Sequence, residues 1–245
     1  MSEKRNNHIK EPLGSRIFDA INVIFFLIVS AAMIIPILKV LSDSLDEATS
    51  YGINLIPKNF STIAYQTILT NRGLYRPFII SVITTVVGTI LGLLIVTISA
   101  YVLIQKEMPG RGFIVGFVMF TMIFNGGLVP TFLVLRQFKL ANTLWAVILP
   151  LSLNVYNMIL MKNFFEEIPP SLLESADIDG CTPFQTFWRI VLPLSKPALA
   201  SIGLFFAIAF WNEFFSFVMY ITDTDLYNFQ VKLRELVIDS QNLDS

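Results

Sequence analysis

A chain of 245 residues with only 14% charged side chains and a mean hydropathy of +0.67 does not resemble a soluble domain, where about a quarter are charged; it falls in the membrane class. The formal net charge of −1 argues against a nucleic-acid partner. One cysteine, Cys181, excludes an internal disulfide and a multi-cysteine metal site, and the lone histidine, His8, sits in the polar N-terminal tail, so no metal site is expected.

Residues 1–16 form that tail, and Ile17–Leu41 follows as the first run long enough to cross a bilayer, which takes about 20 apolar residues. It is too long for a signal-peptide core, and no small-residue cleavage site follows it. Ser42–Pro77 is an external stretch with turn residues (Gly52, Pro57, Gly73) and one amphipathic patch, Ile63–Leu69. The second run, Phe78–Ile104, contains Gly88 and Gly92. This G-x-x-x-G pair either lets another helix approach closely or is tolerated against lipid.

The third run, Phe113–Leu135, is interrupted by Asn125-Gly126-Gly127 and Pro130, which should break or kink it. Non-helical backbone at that depth is tolerated only where protein or a water-filled cavity covers it. The kink therefore lines a permeation path or improves helix packing. The fourth run, Thr143–Met161, carries Pro150, Asn154 and Asn157. The two asparagines are three apart and are expected to share a protein-facing side.

Residues 166–197 then form a polar segment too well built for a simple turn. Ser171-Leu-Leu-Glu174 and Thr182-Pro-Phe-Gln185 both read as capping boxes. Pro183 sits where a helix tolerates proline, Gly180 lies between the two units, and Pro193 should stop the second helix. The expected product is a helix–glycine–helix bracket at the membrane surface, offered to another protein.

The fifth run, Ala198–Ile221, holds Trp211-Asn212-Glu213-Phe214. Glu213 is the one acid deep in a predicted span. It faces the permeation path with Asn212, or it pairs with a basic or amide group at a helix contact; the pairing role is the expectation. Residues 222–245 form a hydrophilic external segment with Asp223, Asp225, Glu235 and Asp239. None of the five runs alternates with period two, so the fold class is an all-α membrane protein. It is a polytopic helix bundle with five predicted transmembrane helices, the transmembrane domain covering 17–221.

The bracket resembles the Glu-Ala-Ala loop of the inner-membrane permeases of binding-protein-dependent ABC importers. That family's pattern of E-A-A, D-G-A and I-x-L-P is met here by Glu174-Ser175-Ala176, Asp179-Gly180-Cys181 and Ile190-Val191-Leu192-Pro193. Ser175 and Cys181 replace the usual alanines, and both are small. The resemblance implies that the loop, with Phe184 and Phe187 among its residues, docks on a cytoplasmic ATPase dimer and carries its motion into the membrane. It also implies a second permease, expected to be a different chain, and an external solute-binding protein. No cofactor is expected in this chain, ATP and Mg being bound by the partner ATPase.

Phe124–Phe132, Leu140–Trp145 and the Trp211–Phe214 string also resemble the carbohydrate-importing branch, which implies a sugar or oligosaccharide as cargo. Asn125, Gly126, Gly127, Asn154, Asn157, Asn212 and Glu213 are the candidates for the translocation path. Permeases of this branch have a sixth span, so the chain is expected to be a fragment lacking that last helix.

Basic residues divide almost evenly between the two sides of any five-span model, so charge alone does not orient the chain. The basic tail favours a cytoplasmic N-terminus, and the motif requires it, in a bacterial inner membrane. No G-x-x-x-x-G-K-[ST] occurs, so the chain does not bind nucleotide through a P-loop. An ion-driven secondary transporter is the alternative reading, but it needs ionisable groups in the spans and inverted repeats. A membrane-embedded enzyme lacks the histidines and clustered carboxylates for acid–base chemistry.

Overall fold

The computed structural model describes residues 13–47, 52, 54–124 and 126–243. The chain divides into two units, residues 1–71 and 72–245. In the first, α1 (Leu13–Ser44) runs unbroken through Pro36 and covers the first predicted span. A short helix, α2 (Ile63–Thr70), follows an isolated antiparallel bridge between Asp46 and Phe60. Among the described residues this bridge is the only β pairing.

The second unit is built on α3 (Arg72–Ile104), which begins before the predicted span and passes through Pro77. Around it come α4 (Arg111–Ile123), α5 (Leu128–Gln137), α6 (Trp145–Ser152) and α7 (Val155–Glu166). The bracket supplies α8 (Pro170–Ile178) and α9 (Pro183–Leu194), and α10 (Lys196–Trp211) and α11 (Phe215–Tyr220) follow. Within the segment expected as an external loop, a single 3₁₀ turn (Thr224–Leu226) leads into α12 (Phe229–Leu243). Two helices, α1 and α3, are long and apolar enough to span a membrane alone; three bent pairs raise the total to five.

Hydrophobic burial does not drive helices together in lipid, so close packing must hold them. Gly88 and Gly92 make this possible by accepting the rings of Phe210 and Phe206 from α10. A Cβ at Gly88 would lie 2.4 Å from the Phe210 ring, and one at Gly92 2.8 Å from the Phe206 ring. Both phenylalanines are 1% exposed. The glycine pair is thus a contact device, and it receives aromatic side chains rather than another backbone. Val96, Met161, Phe165 and Ile202 extend this core along α3, α7 and α10. A second cluster, Ile80, Val147, Phe217, Ile221 and Val231, closes the opposite end of α3.

Three predicted spans are broken rather than continuous. α4 and α5 meet at 114° across residues 124–127, where Gly127 takes φ +86°. Pro130 is not part of that break: it lies in the first turn of α5, where a missing N–H is harmless. α6 and α7 bend by 40° at Leu153–Asn154. The fifth run divides at 212–214 into α10 and α11.

Candidate functional site

α8 starts after Pro169, with Pro170 in its first position. Ser171 is therefore the second helical residue, and the predicted Ser171–Glu174 capping box does not form. The Pro-Pro pair moves the helix start upstream. The Ser175 hydroxyl instead donates to the Ser171 carbonyl at 2.7 Å. Glu174 is exposed and makes no hydrogen bond or ion pair among the described residues, whereas Ala176 is buried at 3%. The Glu-Ser-Ala triplet thus points its acid outward and seats its alanine in the fold.

Gly180 ends α8 in a complete Schellman motif. The Cys181 N–H donates to the Ala176 carbonyl at 2.9 Å, and the Gly180 N–H donates to the Asp177 carbonyl at 3.1 Å. Both bonds require a left-handed residue after the cap, and Gly180 has φ +74°. Asp179 is that cap. The second capping box is present in full. The Gln185 N–H donates to Thr182 Oγ1 at 3.3 Å, and the Thr182 N–H donates to Gln185 Oε1 at 2.9 Å.

Pro193 does not stop the second helix. Residues Phe187–Val191 form a π turn in which the Leu192 N–H donates to the Phe187 carbonyl five residues back. The widened turn absorbs the ring that would otherwise press on the carbonyl four residues earlier, so the helix continues to Leu194. An 80° bend at Ser195 then turns the chain into α10.

Among the exposed apolar side chains of the bracket, Ile178 is 86% exposed, Phe184 71% and Trp188 50%, alongside Leu194 at 52% and Leu172 at 42%. Phe187 and Val191 turn inward, Ile190 and Leu192 are half-buried, and Pro193 is exposed. Ile178 and Trp188 were not among the predicted loop residues. The signal for Ile178 lay in the sequence, a large apolar residue between Asp177 and Asp179; Trp188, between Phe187 and Arg189, carries no such signal.

At the base of the bracket, Glu166 receives Lys162 Nζ at 2.7 Å and Arg111 Nη2 at 2.8 Å. Arg111 Nε also donates to the Leu103 carbonyl at 2.7 Å, joining the ends of α3, α4 and α7. The Lys162 hydrogen bond, with smaller contributions from the charges of Lys162 and Arg111, holds the Glu166 carboxyl below its ordinary value.

Among the candidate path residues, Asn125 lies outside the described residues. Gly126 has only Pro130 near its missing side chain, and Gly127 starts α5. Asn154 and Asn157 do not share a face: Asn154 caps α7, its Oδ1 accepting from the Asn157 N–H at 2.9 Å, while the Asn157 side chain is buried. The helix breaks between α6 and α7, which destroys the expected i, i+3 alignment.

Asn212 Nδ2 donates to the Ile208 carbonyl at 2.9 Å. The Glu213 carboxylate accepts the Ser216 N–H at 2.7 Å and so caps α11. Within this chain its donor is a main-chain N–H that the break itself creates, while the expected pairing extends to a group on a partner subunit. Two carbonyls freed at the break are also occupied, that of Glu213 by Asn228 Nδ2 and that of Trp211 by Gln230 Nε2 at 3.3 Å. Both amides come from the segment expected to be a solvated loop. Glu213→Gln is expected to keep the cap and most transport, while Glu213→Leu lowers the detergent-solubilised Tm by orphaning the Ser216 N–H, a loss of about 1 kcal/mol. Equal stability of the two variants would rule out the capping role.

This helical architecture, with its Schellman-ended bracket between α7 and α10, is that of an ABC import permease. The chain belongs to the family of binding-protein-dependent transport system inner membrane components, whose model matches residues 111–238. It is 39% identical over 234 residues to the polygalacturonan/rhamnogalacturonan transport system permease protein YtcP of Bacillus subtilis (strain 168), covering 94% of this chain and 82% of that protein. It is 31% identical to the diacetylchitobiose uptake system permease protein NgcG of Streptomyces coelicolor, over 86% of this chain and 72% of that one. A crystal structure of a bacterial ABC transporter involved in the import of the acidic polysaccharide alginate superposes with a TM-score of 0.86. The two are 30% identical, and the match covers 94% of this chain and 83% of the other. The protein is a multi-pass membrane transport subunit, and nothing in these likenesses favours an ion-driven transporter.

Proposed function

We propose that the chain translocates a sugar or oligosaccharide handed over by an external solute-binding protein, and that a separate ATPase drives it through residues 171–193. The observation that carries this reading is the exposed apolar set Ile178, Phe184 and Trp188 on a bracket whose turn is fixed by a Schellman motif and a complete capping box. Such a surface is rigid, pre-shaped and unsatisfied, which is what a docking knob needs. Relatives named for oligosaccharide and polysaccharide transport support the cargo class. The working assembly is two permeases, the second a different chain, with an ATPase dimer that holds ATP and Mg. It sits in a bacterial inner membrane with the N-terminus and the bracket cytoplasmic.

A photoreactive side chain placed at Phe184 in the whole transporter is expected to cross-link to the ATPase. In intact cells an impermeant thiol reagent is expected to label a cysteine at Asp239 and to leave Cys181 untouched. Labelling of Cys181 from outside would overturn both the orientation and the coupling role.

A further inference from the structure

Along the chain the bracket is joined to the bundle through Glu167–Pro169 and through the 80° bend at Ser195. A third connection runs through space. Tyr101, on the last turn of α3, donates its hydroxyl to the Pro183 carbonyl at 2.9 Å across 82 positions of sequence. Its ring lies 4.9 Å, centroid to centroid, from that of Phe187. Pro183 is the first residue of α9, so the contact holds the bracket's second helix at its leading end.

Phe187 and Val191 of α9 also enter the core cluster that holds Val96, Ala100 and Leu103 of α3. An apolar cavity of about 240 Å³ lies between them, lined by Ile98, Tyr101, Pro183, Phe184, Phe187 and Trp188. Phe184 and Trp188 are thus shared between the cavity and the outward face of the bracket. A load on that face reaches Tyr101 through the ring contacts of Phe184 with Trp188, Trp188 with Phe187 and Phe187 with Tyr101. α3 is also the helix on which α6, α7, α10 and α12 all pack, so whatever moves α3 moves the bundle.

We propose that Tyr101 is a positioning residue through which displacement of the bracket is delivered to α3, the hydroxyl serving as the clip. The proposal rests on the reading that the bracket docks on an ATPase. The reciprocal fit of Phe206 and Phe210 into Gly92 and Gly88 then passes the movement on from α3 to α10.

The test uses the complete transporter in proteoliposomes and reads ATP hydrolysed per sugar imported. Tyr101→Phe removes one hydroxyl and keeps the ring. It is expected to raise that ratio about five-fold, the effect of losing one net hydrogen bond, with cross-linking from position 184 to the ATPase unchanged. Tyr101→Ala is expected to raise the ratio to the same extent and to lower thermal stability as well. If Tyr101→Phe keeps the wild-type ratio while Tyr101→Ala fails, the ring merely packs and the proposal is wrong. An equal fall in hydrolysis and import, leaving the ratio unchanged, overturns it too. Absence of cross-linking in the wild type would instead remove the docking reading on which it rests.

Discussion

Gly180→Val is expected to leave the permease in the membrane with its bundle intact and to cut transport at least about tenfold. The cause is conformational rather than steric, because a Cβ at this position meets nothing within 4 Å. With φ at +74°, a residue carrying a side chain costs about 1–2 kcal/mol, and a β-branched one more. The Schellman bonds from Cys181 and Gly180 then yield, and α9 leaves α8 at a different angle. Gly180→Asn should keep most transport, since asparagine tolerates the left-handed region. Gly180→Ala should fall between the two. Uptake of labelled oligosaccharide, measured beside the amount of ATPase that co-purifies, separates coupling from assembly. A valine variant that transports normally with its ATPase bound would show that the angle between the two bracket helices is irrelevant.

The second large effect is expected at Gly88. Its missing side chain makes room for the Phe210 ring, and a Cβ there would sit 2.4 Å from it. Phe210 is 1% exposed and cannot swing away without moving α10. Gly88→Val is expected to cost at least about 1–3 kcal/mol by overpacking, and to reduce the yield of correctly assembled protein. Gly88→Val paired with Phe210→Ala should recover part of the loss, because the ring that clashes is gone. Gly116→Ala is the control, since its surroundings are open within 4 Å. Thermal denaturation in detergent measures all three. A Gly88→Val protein as stable as Gly116→Ala would mean that α3 and α10 are not in close contact.

Much of the bracket was legible because its determinants are local. Thr182, Pro183 and Gln185 fall within one turn, and Gly180 answers a requirement set by its immediate neighbours. The apolar runs were legible too, since a bilayer demands length and little else. Hydropathy is blind to where such a run breaks, however, because the break keeps the same apolar composition. Asn154 and Glu213 read as polar residues inside spans, whereas each is a cap made necessary by an interruption. Asn142 is similar: its φ is +61°, and its Oδ1 accepts the N–H groups of Thr222 and Asp223, tying together turns 80 positions apart. No window of sequence displays such a tie. Ser171 failed for the opposite reason, a local pattern overruled by a stronger neighbour, Pro170.

The π turn at Phe187–Val191 has a consequence for where the bracket's surface looks. One turn holding an extra residue advances everything after it by about 100° around the axis relative to an ordinary α-helix. The Phe184 side and the Leu194 side of α9 are therefore out of phase by roughly a quarter of a revolution. That offset lets one short rod show Phe184 and Trp188 to a visitor while Val191 and Ser195 face home. The proline expected to mark an ending acts instead as a gear, accommodated by the wide turn and setting the angular register between the exposed apolar face and the membrane helix beyond it.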